Sequence, residues 1–390
     1  MLIYPNLYKK FECIGGACKN TCCAGWSIPI DSATLDYYLQ LDTDFGAFMR
    51  ENLYEENDMT LIRLTSEGRC PFLTKDDLCQ VYQNCGPEHM SLTCQRFPRS
   101  HIIKGKNDLN SLSLSCEAVL QLLQNRAEPI RICVEGSTDL DSMNDVDISA
   151  YEQAQFIAWG TELLQEPSIP LGISLGTVLY MGMEVEPDFK KHDYLKFEKS
   201  LLAAESIQRE FELAKESIKK EELTNSAWQF IFQVIDIFYA TLQQTSLPQA
   251  IVLRWQENMS LLSDSARKEY IRISYLKHRA FRNEEQHLHF MRRLAALLFC
   301  EASLHIDIKD GEQIYLQNIG SFILLAEILP AICATTEEEN PDDFFPELVN
   351  LSRLFQQSQI IPDYVYPIIK EQISPDTLTY ALAFMALFDE

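Results

Sequence analysis

Apolar positions in the C-terminal two-thirds of the chain recur at the spacing of an α-helix. Phe290, Leu294, Leu297 and Leu298 stand at i, i+4, i+7 and i+8, which predicts a helix with one apolar stripe. The dipeptides Glu186-Pro187, Asn340-Pro341 and Ser374-Pro375 indicate turns between such stretches. Further helical stretches are predicted near 193–217, 224–245, 265–281, 315–333 and 374–388. Together they predict a helical bundle.

The pattern in the first third of the chain is different. One helix is predicted from about Ser32 to Glu51, and residues 60–82 contain short strand-like runs. Because 390 residues exceed the usual size of a single core, two regions are expected, 1–135 and 136–390. The predicted fold class is mainly α: a small cysteine-rich, metal-binding N-terminal region with short strands, followed by an all-helical bundle that is expected to recognise the substrate.

Charge is distributed unevenly along the chain. The net charge is −24; residues 1–135 hold 13 Lys+Arg and 17 Asp+Glu, a net of −4, which leaves −20 for residues 136–390. Such an acidic surface repels phosphate backbones and anionic lipid, so neither nucleic acid nor membrane is an expected partner, whereas a lysine-bearing protein is. The alternative is that the acidic residues only aid solubility.

The chain shows no targeting or membrane-spanning pattern. No run of 18 uninterrupted apolar residues occurs, and Met1 to Phe11 lacks the apolar core of a signal peptide. We therefore expect the protein to reside in the cytoplasm.

Nine of the twelve cysteines lie between positions 13 and 116. Disulfides do not persist in a reducing cytosol and a chain of this size needs none, so the clustering indicates metal ligands. The alternative, ordinary buried thiols, suits the three scattered residues Cys133, Cys300 and Cys333.

The clustered cysteines form two groups in sequence. The first comprises Cys13, Cys18, Cys22 and Cys23, in a segment where Gly15, Gly16 and Gly25 allow the backbone to fold tightly. The second comprises Cys70, Cys79, Cys85 and Cys94, joined by short apolar pieces expected to form turns or hairpins, and Cys116 follows at the predicted start of a helix.

The spacing leaves the metal open. Paired C-x2-C units of a zinc finger are absent, and thiolates bind zinc, copper(I) or iron–sulfur centres. The adjacent Cys22 and Cys23 are expected to point in different directions, so that one is a ligand and the other packs. An iron–sulfur cubane with three thiolate ligands would leave one iron open to a substrate or cofactor.

Five sequence blocks resemble a known family. They are FECIGGACKNTCCAGWSIPID (Phe11 to Asp31), RCPFL (Arg69 to Leu73), LCQVY (Leu78 to Tyr82), CQRFPR (Cys94 to Arg99) and LSLSC (Leu112 to Cys116). In order and context they resemble the bacterial flagellin lysine-N-methylase family, and the cysteines also resemble zinc- or iron-chelating cysteine-rich proteins. The matched motifs span roughly residues 4–120.

The resemblance implies an S-adenosylmethionine-dependent protein-lysine N-methyltransferase that acts on flagellin and holds a [4Fe-4S] cluster, with zinc as the alternative metal. The ligands expected on this basis are Cys13, Cys18, Cys22, Cys23, Cys70, Cys79, Cys94 and Cys116. Trp26, Arg96 and Arg99 are expected to contact the cofactor. The alternatives are that Trp26 is a hydrophobic lid over the centre and that the two arginines form plain ion pairs.

The sequence departs from the expected patterns at three places. Cys18-x3-Cys22 is similar to half of the C-x3-C-x2-C loop of radical S-adenosylmethionine enzymes, but the next cysteine follows directly, so that motif is incomplete. Cys116 is followed by Glu117 where the family pattern has proline and then glutamate. Cys85 has no assigned place in the pattern.

Cofactor binding is not expected to follow the common methyltransferase scheme. No G-x-G-x-x-G turn occurs, and strands do not alternate with helices, so a doubly wound cofactor domain is excluded. His287 and His289 are two residues apart and cannot form a helical metal pair, so they are expected to be structural.

Two further classes of function compete with the methylase. One is a non-catalytic zinc- or iron-binding protein-interaction module. The other is a redox protein, disfavoured because no flavin or nicotinamide motif accompanies the thiols. If the chain methylates lysine, the amine must first lose its proton, and the sequence does not identify the base.

Overall fold

The computed structural model describes the following residues: 1–26, 28–136, 143–191, 193–217, 220–243, 259, 262–280, 283–304, 319–328, 344–356, 368, 371 and 377–388. Within them the chain is mainly helical, with short strands confined to the first 135 residues, which confirms the predicted fold class.

A four-stranded sheet is built from both ends of the N-terminal region. Its order is β5-β6-β1-β7, with β1 parallel to β6 and antiparallel to β7. Gly105, in the left-handed region at φ 59°, makes the turn of the β5–β6 hairpin. The strands are β1 (Leu2–Pro5), β5 (Arg99–Lys104), β6 (Asn107–Leu112) and β7 (Ile132–Glu135).

A smaller unit lies between β1 and β5 in sequence. Its sheet has the order β2-β4-β3 and is accompanied by four short helices. A separate apolar cluster, which includes Ile28, Tyr38, Met49, Phe72 and Val81, forms the core of this unit. Its elements are β2 (Pro29–Ile30), α1 (Ser32–Gln40), α2 (Asp44–Glu51), β3 (Leu53–Glu56), β4 (Met59–Ile62), α3 (Gln80–Cys85) and α4 (Leu92–Arg96).

The prediction of a single helix from Ser32 to Glu51 is wrong, because the segment forms two helices, α1 and α2. Leu41 is extended at the end of α1, and the Thr43 hydroxyl accepts a hydrogen bond from the amide of Gly46 at 3.0 Å, which starts α2. A Cβ on Gly46 would lie 2.1 Å from the carbonyl oxygen of Leu41, so the close turn requires glycine.

The strand-like runs predicted over 60–82 are only partly correct. β4 ends at Ile62, and a turn over Thr74 to Leu78 is followed by helix α3. One isolated bridge, between Leu73 and Cys79, closes that turn as a small hairpin. Short apolar runs of this length are compatible with a strand or with a buried helix. At Gln80–Cys85 the chain forms helix α3.

Helices fill the rest of the described chain. The proline of Glu186-Pro187 does not end α7, which continues through it, so the predicted turn is wrong there. The stretch predicted as helical over 193–217 forms two helices, α8 and α9. Of the stretch predicted over 315–333, residues 319–328 are described, and they are helical. Asn340-Pro341 and Ser374-Pro375 lie outside the described residues. The helices are α5 (Glu117–Gln124), α6 (Asp145–Gln165), α7 (Leu171–Lys191), α8 (Tyr194–Leu202), α9 (Ala204–Ser217), α10 (Lys220–Gln243), Asp264–Ala280, Glu284–Leu304, Phe344–Gln356 and Thr377–Phe388.

The Glu284–Leu304 helix is buried on all its faces over its C-terminal part, whereas the sequence predicted one buried stripe. The sequence predicted one apolar stripe through Phe290 and Leu294, but nearly every residue from Phe290 to Leu304 is buried, including Arg292 and Glu301. The helix is covered by α6, with the rings of Phe156 and Phe299 5.2 Å apart, and by strand β6. Helices hydrophobic all round are those buried on every face.

The largest apolar cluster joins residues from both predicted regions. Leu7, Phe11 and Val119 belong to the same cluster as Leu175 and Leu297. The division at residue 135 stays a prediction, and it coincides with the end of β7. In the part of the chain that the structure describes, no helix has the length and apolarity to cross a bilayer.

Candidate metal centre

Five cysteines of the N-terminal region line one cavity. They are Cys22, Cys23, Cys70, Cys79 and Cys94, and the remaining wall is largely apolar, with Trp26, Tyr38, Phe72 and Phe97 among its residues. The cavity has a volume of about 60 Å³. Pockets for organic ligands are typically about 300–1,000 Å³, so this one suits a metal ion or a small inorganic centre.

Main-chain hydrogen bonds join the two halves of the thiol wall. The amide of Cys70 donates to the carbonyl oxygen of Cys23 at 2.7 Å, and the amide of Gly25 donates to that of Gly68 at 2.9 Å. Gly25 and Gly68 both have positive φ, 81° and 72°, which the tight crossing of these two loops requires. Cys23 and Cys70 are thereby adjacent in space although 47 positions separate them in sequence.

The helix that carries Cys94 is fixed by two caps. The Ser91 hydroxyl accepts a hydrogen bond from the amide of Cys94 at 3.2 Å. Asp31 accepts one from the amide of Leu92 at 2.8 Å and another from the amide of Thr34 at 3.0 Å, so that one carboxylate caps both α4 and α1. On the other side of the cavity, Cys79 precedes α3, whose first residue, Gln80, donates from its amide to the carbonyl of Phe72 at 2.8 Å.

Outside the cavity, the carboxylate of Glu117 lies beside Cys18 and directly follows Cys116. Cys116 occupies the N-cap position of α5, at the start of the helix as predicted, and its side chain makes no capping hydrogen bond. Glu117 is buried, with its Oε2 accepting hydrogen bonds from the amide of Asn20 at 2.8 Å and from the Cys18 thiol at 3.6 Å. The carboxylate thus holds the Cys18–Cys23 segment against the start of α5.

The spatial grouping therefore differs from the grouping in sequence. Cys22 and Cys23 join Cys70, Cys79 and Cys94 in the wall of the cavity, whereas Cys13, Cys18 and Cys116 do not line it. That Cys22 and Cys23 point in different directions stays a prediction, although both residues line the same cavity. Spacing along the chain could not reveal the shared cavity, because it depends on the bend at Gly25 and the crossing with residues 68–70.

The other cysteines are separate from the cavity. Cys85 neighbours the Tyr37 hydroxyl and does not line the cavity, consistent with its missing place in the family pattern. Cys300 is buried in the apolar cluster beside Ile3 and Leu109. Cys333 lies outside the described residues. All eleven described cysteines are free thiols.

The residues predicted to contact the cofactor have different surroundings. Trp26 lines the cavity, donates from its ring nitrogen to the carbonyl of Cys22 at 2.6 Å, and packs on Phe97 with ring centroids 5.9 Å apart. Arg99 donates to the carbonyl of Phe11 at 3.2 Å and lies over the Tyr8 and Phe11 rings. The Arg96 guanidinium lies 3.4 Å from the His101 ring nitrogen. Neither arginine lines the cavity.

Burial dominates the electrostatics of the thiols. It raises the pKa of Cys70 and of Cys94 to about 12, and it also raises the pKa of Cys79 and Cys116. Cys23 is the exception, because hydrogen bonding from Cys22, against an opposing effect of burial, lowers its pKa to about 7. The four thiols whose pKa is raised ionise readily only when a cation compensates the charge, as a coordinated metal does.

The donor set fits a thiolate-bound soft metal. Five thiols and apolar side chains surround the cavity, with no competing carboxylate or imidazole in its wall. Within the described residues, no three His, Cys, Asp or Glu side chains are arranged as a ready-made coordination group. The fit therefore rests on donor chemistry and charge, and no coordination geometry follows from it.

One functional residue carried no signal in the sequence. Arg353, on the Phe344–Gln356 helix, reaches the cysteine loop, where its Nη2 donates to the carbonyls of Asn20 at 2.8 Å and Thr21 at 2.9 Å. It is 8% exposed. Only its burial beside thiols distinguishes it from the other arginines, and burial becomes known only with the fold.

Comparison with curated proteins gives three relatives with the same level of similarity. The chain is 36% identical over 127 residues to proteins named Lysine-N-methylase from Salmonella typhimurium and Salmonella choleraesuis. It is also 36% identical over 127 residues to the flagellar biosynthetic protein FliU of Salmonella muenchen, and the match covers 75% of that protein. The chain belongs to the flagellin lysine-N-methylase family. This confirms the resemblance inferred from the five sequence blocks.

Membership in the lysine-N-methylase family rests on part of the chain. The match covers 31% of this chain and about a third, 32%, of the two proteins named Lysine-N-methylase. No family model matches the sequence, and no solved structure matches it.

Proposed function

We propose that the protein is an S-adenosylmethionine-dependent protein-lysine N-methyltransferase that acts on flagellin in the cytoplasm and holds a cysteine-bound [4Fe-4S] cluster. The 36% identity to proteins named Lysine-N-methylase carries the proposal for lysine methylation. The name of the FliU relative supports a flagellar substrate. The thiol-lined cavity supports the centre, and free thiols throughout the described chain agree with a reducing compartment.

The chain's own residues would perform three tasks. Three of the five cysteines that line the cavity would hold the centre, which would leave one iron open to electron-rich groups of a cofactor; the candidates are Cys22, Cys23, Cys70, Cys79 and Cys94. Trp26 and Phe97 would close one wall of the cavity and exclude water. The cavity is too small to enclose a nucleoside cofactor, so S-adenosylmethionine would bind outside it, where Arg96 and Arg99 remain the proposed contacts.

Methyl transfer to lysine requires a neutral amine. The nitrogen lone pair forms the bond to the methyl carbon, the sulfur–methyl bond breaks with its electrons going to sulfur, and the amine releases a proton. The net charge of −20 on residues 136–390 would attract lysine-rich segments of the substrate. Once bound, the amine must be deprotonated by a base or through desolvation.

Two measurements test this proposal. Oxygen-free purification of the full chain followed by iron and acid-labile sulfide analysis is expected to give stoichiometric amounts of both, with broad visible absorbance. Zinc without colour would favour the metal-binding module instead. Incubation with methyl-labelled S-adenosylmethionine and flagellin is then expected to label lysines, mapped by mass spectrometry. Full iron content without label on any lysine would rule out the methylase and leave the metal centre standing.

A further inference from the structure

The structure brings one arginine of the helical region into the cysteine loop. Arg353 uses a single nitrogen, Nη2, to bind two successive carbonyl oxygens, those of Asn20 and Thr21, at 2.8 and 2.9 Å. These two residues lie between Cys18 and Cys22. Arg353 therefore fixes the backbone of the segment that places both thiols, across 332 or more positions of sequence.

The rest of the guanidinium is buried without a matching anion. Its Nε is buried and has no hydrogen-bond partner, and within the described residues no carboxylate pairs with Arg353. An arginine in a protein stays charged, and a buried charge without a counter-ion is strongly unfavourable. Two neutral carbonyls satisfy hydrogen bonds but do not neutralise the charge.

The segment that Arg353 binds carries thiols on both sides, Cys18 before the two carbonyls and Cys22 after them. The strongest electrostatic neighbours of Arg353, apart from the effect of its burial, are Cys22, Cys18, Cys116 and Cys23. Gly25 lies close as well, since a Cβ built there would be 4.0 Å from Nη1, an ordinary van der Waals contact. The guanidinium therefore lies against the Cys18–Cys22 segment.

We propose that Arg353 is a positioning residue of the thiolate centre, fixing the Cys18–Cys22 segment through the two carbonyls and supplying the positive charge that offsets the anionic, metal-bound thiolates. This inference rests on the proposed function, because the compensating negative charge exists only when the thiolates are bound to a metal. It also assigns a role to the C-terminal region: a helix far along the chain completes the electrostatics of the N-terminal centre.

The two roles of Arg353 are separable by substitution. Arg353→Lys keeps the charge but replaces the planar Nη2 donor with an ammonium on a shorter, more flexible side chain, whereas Arg353→Gln keeps hydrogen-bonding capacity and removes the charge. Because reduction adds an electron to an already anionic centre, a nearby cation favours the reduced state. Loss of that cation should shift the midpoint potential to more negative values.

The experiment uses the full chain, purified without oxygen, as wild type and as the two Arg353 variants. A matched control is Arg292→Gln, since Arg292 is likewise buried and binds main-chain carbonyls, but those of Leu164, Glu166 and Ile169 in the helical region. Metal and sulfide content, the rate of metal loss to a chelator, and the midpoint potential are measured for each protein.

The midpoint potential is expected to change when the charge of Arg353 is removed and to be largely retained when the charge is kept. Arg353→Gln should change the equilibrium constant for reduction about tenfold or more, which is about 59 mV for one electron, and should lose metal to the chelator faster. Arg353→Lys should keep most of the potential but also lose metal faster, because the loop is less firmly held. Arg292→Gln should leave the potential and the rate of metal loss of its folded fraction unchanged.

The outcomes separate the two proposals. Metal-free wild-type protein would overturn the proposed centre and, with it, the role of Arg353. Metal-loaded wild type with an Arg353→Gln variant of unchanged potential and unchanged metal loss would overturn the role of Arg353 alone. If the bound metal is zinc, the rate of metal loss alone decides: Arg353→Gln must exceed both wild type and Arg292→Gln, or the inference fails.

Discussion

The carboxylate of Glu117 accepts a hydrogen bond from the main-chain amide of Asn20 at 2.8 Å. The same oxygen accepts a bond from the Asn20 side chain at 3.1 Å, and the other oxygen accepts one from Gln121 at 2.9 Å. Glu117 thus holds the Cys18–Cys22 segment from one side while Arg353 binds its carbonyls. The residue that follows Cys116 is therefore part of the support of the centre.

We expect Glu117→Ala to destabilise the protein by about 1–3 kcal/mol, because it leaves the partly buried amide of Asn20 without its acceptor. Urea unfolding measures the loss, and the alkylation rate of Cys18 should rise as the loop loosens. Glu128→Gln changes an exposed carboxylate of the same region and serves as the control. Equal effects of the two substitutions would contradict the role given to Glu117.

Replacement of Cys94 or Cys23 by Ser should lower metal content and methylation together, since a hydroxyl is a poor ligand for a soft metal. Cys300→Ser should leave metal content unchanged, because Cys300 lies in an apolar cluster away from the cavity. Cys85→Ser should resemble Cys300→Ser, since Cys85 does not line the cavity. Metal analysis of the purified variants tests the division, and similar losses in all four would refute it.

The contribution of Asp31 to stability should depend on pH. Partial burial opposes its charge, but hydrogen bonds from the amides of Leu92 and Thr34 and from the Thr34 hydroxyl outweigh this effect and lower its pKa below the ordinary 3.8. A lowered folded-state pKa means that the stabilisation is complete above the unfolded-state value and is lost as pH falls through the folded-state value.

The difference in free energy of unfolding between wild type and Asp31→Asn is therefore expected to be constant from neutral pH to about pH 5 and to shrink below about pH 4. Denaturant unfolding at several pH values measures it. Asp36→Asn, an exposed position on the same helix, should show no such trend. A difference that grows on acidification would contradict the double capping by Asp31.

Gly160 should not tolerate a side chain. A Cβ there would lie 2.2 Å from Cε1 of Phe299, at the contact of α6 with the Glu284–Leu304 helix. Alanine has the higher helix propensity by about 1 kcal/mol, but overpacking costs about 1–3 kcal/mol, so Gly160→Ala is expected to destabilise. Phe299→Leu in the same chain should recover part of the loss, and a thermal unfolding double-mutant cycle tests this. Strict additivity would argue against the contact.

Some of the candidate site follows from sequence because the information is local. The position of Cys116 at the start of a helix depended on its immediate neighbours, and the structure confirms it. The five blocks around the cysteines were sufficient for the family, which the comparison with FliU confirms. Helix boundaries were less predictable: Pro187 lies inside α7, although a proline within a helix removes one main-chain hydrogen bond.

The sequence by itself determined the clustering of cysteines, the mainly helical fold and the family, because thiol clustering and apolar periodicity are properties of neighbouring residues. Tertiary structure decided which thiols meet. Cys23 and Cys70 lie next to each other only because two loops cross, and Arg353 reaches Asn20 only because a late helix packs beside an early loop. Contacts between distant segments depend on how the whole core buries its apolar surface, and residue spacing does not encode that arrangement.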